Sequence, residues 1–512
     1  QEKYRERVKC VYIDPPYNTG SDEFLYRDAY QHSSWLAMME NRLRLAKDTM
    51  RSDGSIFISN DDNEQAALKG CMDFVFGLDN FVTQIIWQKK FSPQNDAKYL
   101  SDNHDYLTLF ARTKVYWRRN LLPRTDEVNA RYENPDNDPR GPWMSSGLDV
   151  KTYAPEYDYP ITTPSGRIVS PPRGACWRVS KERLKELISE NRIWFGQDGN
   201  NVPRLKRFLS DVREGIVPLT IWSHKEVGHN QEAKQQLKAI MGDLGDVFQT
   251  PKPARLLQRC FQIGADSNST ILDYFAGSGT TGHAVINLNR EDGGKRKFIL
   301  VEMAQYFDTV LLPRIKKVTF TPEWKDGKPK RMATSEEAER SPRIIQVLGL
   351  EQYEDTLNNI EFIEGGTAPK TLMDFEGYFL RYMLDFETRE SPCRMNVTKL
   401  ERPFDYTLRI TRDSQLHNET VDLVETFNYL LGLKVKRIRT FNENGTPYRV
   451  VHGETLAGES TTIIWRTTTG LDLKKDKQFI EETILKDPKL KAEKIYINGD
   501  FHVEGALPIE PE

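Results

Sequence analysis

Apolar and polar positions near the start of the chain switch repeatedly between strand and helix spacing. Val11-Tyr12-Ile13 is continuously apolar, the pattern of a strand covered on both faces. Trp35, Leu36, Met39, Leu43, Leu45 and Ala46 recur at helical spacing, and Asp53-Gly54 is expected to stop that helix before the strand Ile56-Phe57-Ile58. Asp61-Asp62 then open a second helix through Ala66, Leu68, Met72 and Phe76. These two acids read as N-terminal helix charges. Phe81 to Trp87 and Tyr106 to Ala111 read as strands. Such alternation predicts a mostly parallel sheet with helices on both faces.

From about Lys114 to Asp246 the pattern breaks into turns, as at Asn134-Pro135-Asp136-Asn137-Asp138-Pro139 and Ser170-Pro171-Pro172-Arg173-Gly174, with one helix from Ser180 through Leu184, Leu187 and Ile188. Five of the nine tryptophans fall there: Trp117, Trp143, Trp177, Trp194 and Trp222. Periodicity then returns. Thr250-Pro251-Lys252-Pro253 begins a helix with Leu256, Leu257, Cys260 and Phe261 facing inward and Gly264 ending it, proline being well tolerated in a first turn. Ile271-Leu272 and Phe298-Ile299-Leu300-Val301 read as strands separated by a helix opened by Thr280-Thr281. Lys325 to Ser341 is charged and reads as a linker or exposed loop. Beyond it come a strand (Tyr406 to Ile410), a helix (Val421 to Leu433), short strands (Val435 to Arg439, Tyr448 to Val451, Thr462 to Trp465), a helix near Phe479 to Leu485 and a last strand, Ile495-Tyr496-Ile497.

Composition narrows this picture only slightly. A chain of 512 residues that is 38% hydrophobic can bury more than one core. The net charge of −3 excludes a uniformly basic nucleic-acid coat. Any DNA contact must therefore use a local basic surface, and Arg112, Lys114, Arg118, Arg119 and Arg124 form one with no acid among them. The same residues also suit a solvated face over a tryptophan core. Five cysteines, Cys10, Cys71, Cys176, Cys260 and Cys393, show neither metal-ligand spacing nor a disulfide framework, so a reducing cytoplasm is expected and no metal. No apolar run approaches membrane-spanning length.

Two stretches carry chemistry. Asp14-Pro15-Pro16-Tyr17 follows the first strand. An exocyclic amine on a base is a poor nucleophile because its lone pair is delocalised into the ring. A carboxylate (Asp14) and a carbonyl (Pro15) near that amine draw the lone pair out, two prolines stiffen the turn, and Tyr17 offers a face for an extruded base. Taken alone, the tetrapeptide equally suits a proline turn closing a strand. The second stretch, Asp273-Tyr274-Phe275-Ala276-Gly277-Ser278-Gly279-Thr280-Thr281, is a strand end, a glycine turn and a helix start. Glu302 ends the next strand, where an acid binds ribose hydroxyls in nucleotide-binding sheets.

Together these motifs resemble the S-adenosylmethionine-dependent DNA amino-methyltransferases of the permuted class, in which the catalytic half precedes the cofactor half. The resemblance is nearest to the modification subunit of type III restriction–modification systems, and its matching positions span most of residues 8–320. Asn18-Thr19-Gly20, Asp53 to Ser59 and Thr250 to Pro253 extend it, and Gln352 to Ile360 is similar to a stretch of those subunits. It implies an α/β fold: a permuted Rossmann-like methyltransferase sheet with an inserted target-recognition domain and a C-terminal α/β domain. The expected divisions are a catalytic half (1–113), the insert (114–246), a cofactor half (247–320), a linker (321–365) and the C-terminal unit (366–512). Asp14, Pro15, Pro16 and Tyr17 would be catalytic. Asp273, Phe275, Gly277, Gly279, Thr280 and Glu302 would bind the cofactor. Lys252 could face the cofactor's carboxylate, the alternative being an exposed first-turn lysine.

The implied activity is adenine-N6 methylation of double-stranded DNA by a homodimer working with an ATP-dependent restriction (Res) subunit. Cytosine-N4 methylation and a DNA-binding specificity subunit with dispensable catalysis are the rival readings. Methylation of RNA or of a protein glutamine fits less well, since those relatives keep the cofactor motif first. The chain enters a core strand almost at once after Gln1, which reads as a truncated protein. By the resemblance, one strand and one contact to the cofactor's adenine would precede it.

Overall fold

In the computed structural model, Val8–Ile13 (β1) is buried at all six positions, because its neighbours cover both faces and both edges. The structure describes residues 4–20, 30–95, 97–211, 215–242, 248–350, 352, 355, 400–412 and 415–509. The expected stretch Gln352 to Ile360 therefore lies almost wholly outside the described residues, as does the start of the segment assigned to the C-terminal unit. Two units are distinguished, one running to Ile344 and the other from Ile345.

The first unit is built on a seven-stranded sheet. Its strands are β1, β2 (Met50–Asn60), β3 (Phe81–Gln88), β4 (His104–Ala111), β5 (Ile221–Trp222), β6 (Thr270–Asp273) and β7 (Lys297–Leu300), in spatial order β5-β3-β4-β2-β1-β6-β7. All pairings are parallel except those of β4, which runs against both β2 and β3. Val11 sits between Ile56 and Leu272, so the two halves of the chain meet at the centre of the sheet.

Alternation along each strand sends side chains into two separate cores. Ile13, Ile56, Ile58 and Leu272 pack under α1 (His32–Thr49) and α2 (Gln65–Phe76), through Trp35, Met39, Leu43, Leu68 and Met72. Tyr12, Phe57 and Ile271 pack on the other face under α3 (Ala254–Gly264) and α4 (Thr280–Asp292), through Leu256, Leu257, Cys260, Phe261, Ala284 and Val285. The expected sheet with helices on both faces is thus borne out, in the permuted order.

Four local expectations are corrected. Helix α1 ends at Thr49 rather than at Asp53-Gly54, because Met50 to Gly54 already belong to β2 and make a bulge against β1, where the register shifts between Val8 and Cys10. Leu45, counted among the inward positions, is exposed. Helix α2 starts at Gln65; Asp61 instead accepts from Asn63 N at 3.0 Å, and Asp62 accepts from the Tyr106 hydroxyl at 2.9 Å. The charged stretch 325–341 is not a bare linker. It forms a ribbon, Trp324–Lys325 with Lys328–Pro329, then a capped turn of helix, Ser335–Glu339, and Ser341 docks on the Arg290 guanidinium of α4 at 3.0 Å.

Between β4 and β5 the chain leaves the sheet and returns to it. Leu122 and Ile216 pair antiparallel across the base of this excursion, exchanging N–H···O bonds of 2.9 and 2.8 Å. Beyond that neck lie a three-stranded antiparallel sheet (Trp143–Gly147, Arg204–Phe208, Ile193–Trp194), two short ribbons and the helix Lys181–Ser189 over a core including Tyr159, Trp177, Leu184, Leu187 and Phe195. Trp143 and Trp194 pack at 5.3 Å beside the buried Lys206, which is ion-paired with Asp136. Trp117 and Trp222 belong instead to the central-sheet core.

The second unit holds a five-stranded sheet (Lys434–Glu443, Thr446–Glu454, Ser460–Arg466, Lys494–Ile497, Leu507–Pro508) and a separate hairpin, Thr407–Arg412 with Gln415–Thr420. Its helices, Leu423–Leu430 and Leu473–Phe479, are capped by the carboxylates of Asp422 and Asp472. The second of them starts six residues before the expected Phe479. Arg466 is fully buried against Asp476 at 2.9 Å. Among the described residues, no helix of the chain is long and apolar enough to cross a membrane.

Candidate active site

The carboxyl ends of β1, β2, β3, β6 and β7 share one edge of the sheet. Because β4 is antiparallel, its first residues arrive at that same edge. Asp14 follows β1 directly, with its side chain 24% exposed. The Lys252 ammonium lies 2.8 Å from the Asp14 carboxylate and 4.8 Å above the centre of the Tyr17 ring. The Tyr17 hydroxyl points to Asp105 at 3.5 Å, and Lys89 at the end of β3 donates to Asp105 at 2.7 Å and to Asp102 at 2.9 Å. Burial pushes the Asp14 carboxyl above its usual range, and the Lys252 charge pulls it part of the way back.

The backbone of the tetrapeptide is fixed from below. The Trp35 indole donates to the Pro16 carbonyl at 2.8 Å. Asn18, at a positive φ of 60°, donates to the buried Glu64 at 2.6 Å and accepts from the Tyr30 amide at 2.6 Å.

The glycine turn sits beside this centre, after β6. Gly277 and Gly279 have φ of 52° and 79°; a Cβ on either would approach Phe248 or Leu311 at 3.2 Å, so the turn requires glycine. Asp273 braces the turn internally, accepting from Phe275 N at 3.0 Å and from the Thr281 hydroxyl at 2.6 Å, while burial pushes it up to about 7. Glu302 lies directly opposite, accepting from Gly277 N at 2.8 Å and from Met303 N and Ala304 N. A half-buried acid facing a glycine turn at adjacent strand ends fits the ribose of an adenosine-bearing cofactor.

The family model described as DNA methylase (N6_N4_Mtase) matches residues 8–311, more than half of the chain. The chain belongs to this DNA methylase family. It is 35% identical over 337 residues to the type III restriction-modification enzyme StyLTI Mod subunit of Salmonella typhimurium, covering 60% of this chain and 50% of that one. To the EcoPI Mod subunit of Escherichia phage P1 it is 28% identical over 365 residues, covering 58% and 54%. The chain thus spans about half the length of these curated relatives. A solved PvuII DNA methyltransferase (cytosine-N4-specific) covers 62% of this chain and 84% of its own at 13% identity, with a TM-score of 0.32. The resemblance to type III modification subunits drawn from the motifs is borne out.

In this member of the DNA methylase family the residues singled out from the sequence fall into three places. Asp14, Pro15, Pro16, Tyr17 and Lys252 form one cluster, so Lys252 joins the Asp14–Tyr17 turn rather than the glycine turn. Asp273, Phe275, Gly277, Gly279, Thr280 and Glu302 form a second cluster at the ends of the neighbouring strands. The basic stretch lies elsewhere. Arg112 follows the carboxyl end of β4, which is the opposite edge of the sheet, roughly 25 Å away for eight residues at about 3.3 Å each. Arg112 donates to Glu6 at 2.8 Å, Lys114 to the Phe81 carbonyl at 2.7 Å, Arg118 to Val115 O and Trp117 O, and Arg124 to Asn129 at 2.9 Å; Arg119 is exposed.

Sequence reasoning missed four participants. Trp35, Glu64 and Lys89 act through contacts between distant segments, which no local pattern announces. Arg314 is buried in α5 (Leu312–Phe320) and donates to Ser278 O and Oγ, Thr280 Oγ1 and His283 Nδ1 at 2.8–3.2 Å. It stands in the basic stretch Pro313-Arg314-Ile315-Lys316-Lys317, where no local pattern sets one cation apart as buried.

Proposed function

We propose that this chain carries the methyl-transfer centre of a site-specific DNA adenine-N6 methyltransferase that uses S-adenosylmethionine, acting as the modification and specificity subunit of a type III-like restriction–modification system. The observation that carries this reading is the placement of Asp14-Pro15-Pro16-Tyr17 and the Gly277–Gly279 turn at the ends of adjacent strands on one sheet edge. The cofactor, when bound, supplies an electrophilic sulfonium methyl. The chain's own groups do the rest. Tyr17 stacks the extruded adenine. Asp14 and the Pro15 carbonyl accept from its N6 amine, so that the lone pair is aimed at the methyl carbon as the amine proton is drawn off. Glu302 and the glycine turn hold the ribose side of the cofactor. Rate comes from positioning and polarisation, with no covalent enzyme intermediate.

Target recognition is assigned to the folded segment beyond the Leu122–Ile216 neck. The C-terminal unit is assigned to docking with a second copy or with an ATP-dependent Res subunit, in the cytoplasm. The similarity of this chain to type III Mod subunits supports these assignments.

Methyl transfer from labelled S-adenosylmethionine to mixed-sequence duplex DNA, followed by nucleoside analysis, tests the reading. N6-methyladenine is the expected product. Label on cytosine N4 would overturn the base assignment, and DNA and cofactor binding without any label would favour the binding-subunit reading.

We also propose that the basic stretch contacts phosphates away from the reacting base. Each phosphate contact contributes about 0.9 to the slope of log K against log salt, so Arg118→Ala with Arg119→Ala should lower that slope by about 1 to 2. An unchanged slope would leave these residues with the intrachain role their hydrogen bonds already describe.

A further inference from the structure

The Lys252 ammonium occupies an unusual position. It is a nitrogen donor 2.8 Å from the Asp14 carboxylate and 4.8 Å above the Tyr17 ring, with its side chain only 10% exposed. Those two groups are the ones that the methyl-transfer reading assigns to the exocyclic amine and ring of the target base. A base cannot stack on Tyr17 and donate from its amine to Asp14 while the lysine holds both. We infer that Lys252 is a positioning residue that stands in for the target amine and gives way when a carboxylate arrives to take its charge, so that cofactor binding opens the base site.

The surroundings explain why the stand-in is needed and what removes it. Asp14 is crowded by acidic neighbours: Asp105 on β4, held by Lys89 just after β3, and Asp273 at the end of β6. Tyr12 and Tyr17 complete its surroundings. A half-buried carboxylate among other carboxylates is costly without a partner, and Lys252 supplies that partner from within the chain. Moving that cation away is unfavourable unless both charges find replacements at once. The base supplies N–H donors to Asp14. S-adenosylmethionine carries one anionic group, the carboxylate of its amino-acid end, and that group supplies the new partner for Lys252. The exchange swaps one ion pair for another and leaves no charge bare.

The backbone suits such a movement. Pro251 and Pro253 flank Lys252 and fix the main chain on both sides, and Pro253 caps α3. The lysine's anchor is therefore rigid, and only its flexible four-carbon stem need swing. An arginine, with a planar fork, would hold Asp14 more firmly.

This inference rests on the methyl-transfer reading, and one experiment separates the two. A duplex carrying 2-aminopurine in place of the methylated adenine, at the site mapped by the transfer assay, reports extrusion of the base as a rise in fluorescence. Wild-type protein is titrated alone, with S-adenosylhomocysteine, and with 5′-methylthioadenosine, which lacks the amino-acid end. Wild type should extrude the base at least about fivefold more tightly with S-adenosylhomocysteine, the low end of ordinary coupling between sites, and should gain nothing from 5′-methylthioadenosine. Lys252→Met, which keeps the stem and removes the charge, should extrude the base without cofactor, whereas Lys252→Arg should restore the requirement. Equal fluorescence with and without S-adenosylhomocysteine, equal help from 5′-methylthioadenosine, or a cofactor requirement that survives in Lys252→Met would each overturn the inference. The wild-type comparison of the two ligands decides the matter even if a variant misfolds. Absence of any methylated base in the transfer assay would sink the parent reading, and this one with it. Normal methylation with ligand-independent extrusion would sink the lysine's role alone.

Discussion

Asp14→Ala is expected to lower kcat for methyl transfer by about 10²–10³-fold, the cost of removing one oriented group from a reacting centre. S-adenosylhomocysteine should bind the variant at least as tightly as wild type, since Lys252 no longer has to leave Asp14 to meet the cofactor's carboxylate. The reason lies in the electronics of the amine: its lone pair is useful only when an acceptor holds its hydrogens out of the ring plane, and Asp14 is the charged half of the acceptor pair. Asp14→Asn keeps an acceptor oxygen without the charge and should fall between the two. Burial raises the carboxyl above the ordinary range, so activity should fall on the acid side at a higher pH than a solvent-exposed aspartate would give. The sign follows from the role: the ionised form accepts, and it is lost as pH falls through the raised pKa. Single-turnover rates across pH measure both effects. An Asp14→Ala rate within about tenfold of wild type would remove Asp14 from the mechanism.

Arg314→Met should weaken the cofactor loop without touching the catalytic turn. Its guanidinium is fully buried, and burial draws it down to about 9. The nearby His283 is pushed well below its usual range, chiefly by burial and then by the Arg314 charge, so its neutral imidazole can accept from the guanidinium. One side chain thus ties the Ser278 carbonyl and hydroxyl, the Thr280 hydroxyl and His283 into a single knot behind the glycine turn. Losing charged hydrogen bonds of this kind costs about 2–4 kcal/mol overall, less whatever is regained by no longer burying the charge. Hydrogen exchange at the first amides of α4 should quicken, and S-adenosylhomocysteine should bind more weakly. Arg314→Lys places its three donors on one nitrogen, cannot reach all four acceptor atoms, and should rescue little. Unchanged exchange at Thr280 to Ala284 would show that the knot is dispensable.

The sheet was legible in the sequence wherever a strand or helix has one apolar face. Val11 to Ile13, Ile56 to Ile58, the Trp35-Met39-Leu43 stripe and the Leu256-Leu257-Cys260-Phe261 stripe all stand where periodicity put them. Composition failed where packing partners decide the outcome. The bulge at Met50 to Gly54 depends on the register with β1, and a helix stop and a strand bulge use the same residues, Asp and Gly. In the second unit, Lys434–Glu443 and Thr446–Glu454 form a hairpin far longer than its apolar residues suggest. The signal was there: Asn444-Gly445, both at positive φ, is a favoured two-residue hairpin turn. At the candidate site, the motifs themselves were readable because each is a contiguous stretch. Their supports were not, since Trp35, Lys89, Glu64 and Arg314 reach the motifs from other elements. The pairing of Lys252 with Asp14 joins residues 238 positions apart and depends on which edge of the sheet each reaches.

The neck formed by Leu122 and Ile216 separates two kinds of evolutionary freedom. The chain departs from the end of β4 and re-enters at the start of β5, and both points lie on the same rim of the sheet because β4 runs backwards. With the stem tied by paired backbone hydrogen bonds, residues above it can lengthen, shorten or be replaced wholesale without sliding any strand below. Changes in the folded segment above the neck and the register of the sheet below it are mechanically independent, so one can be exchanged while the other stays put.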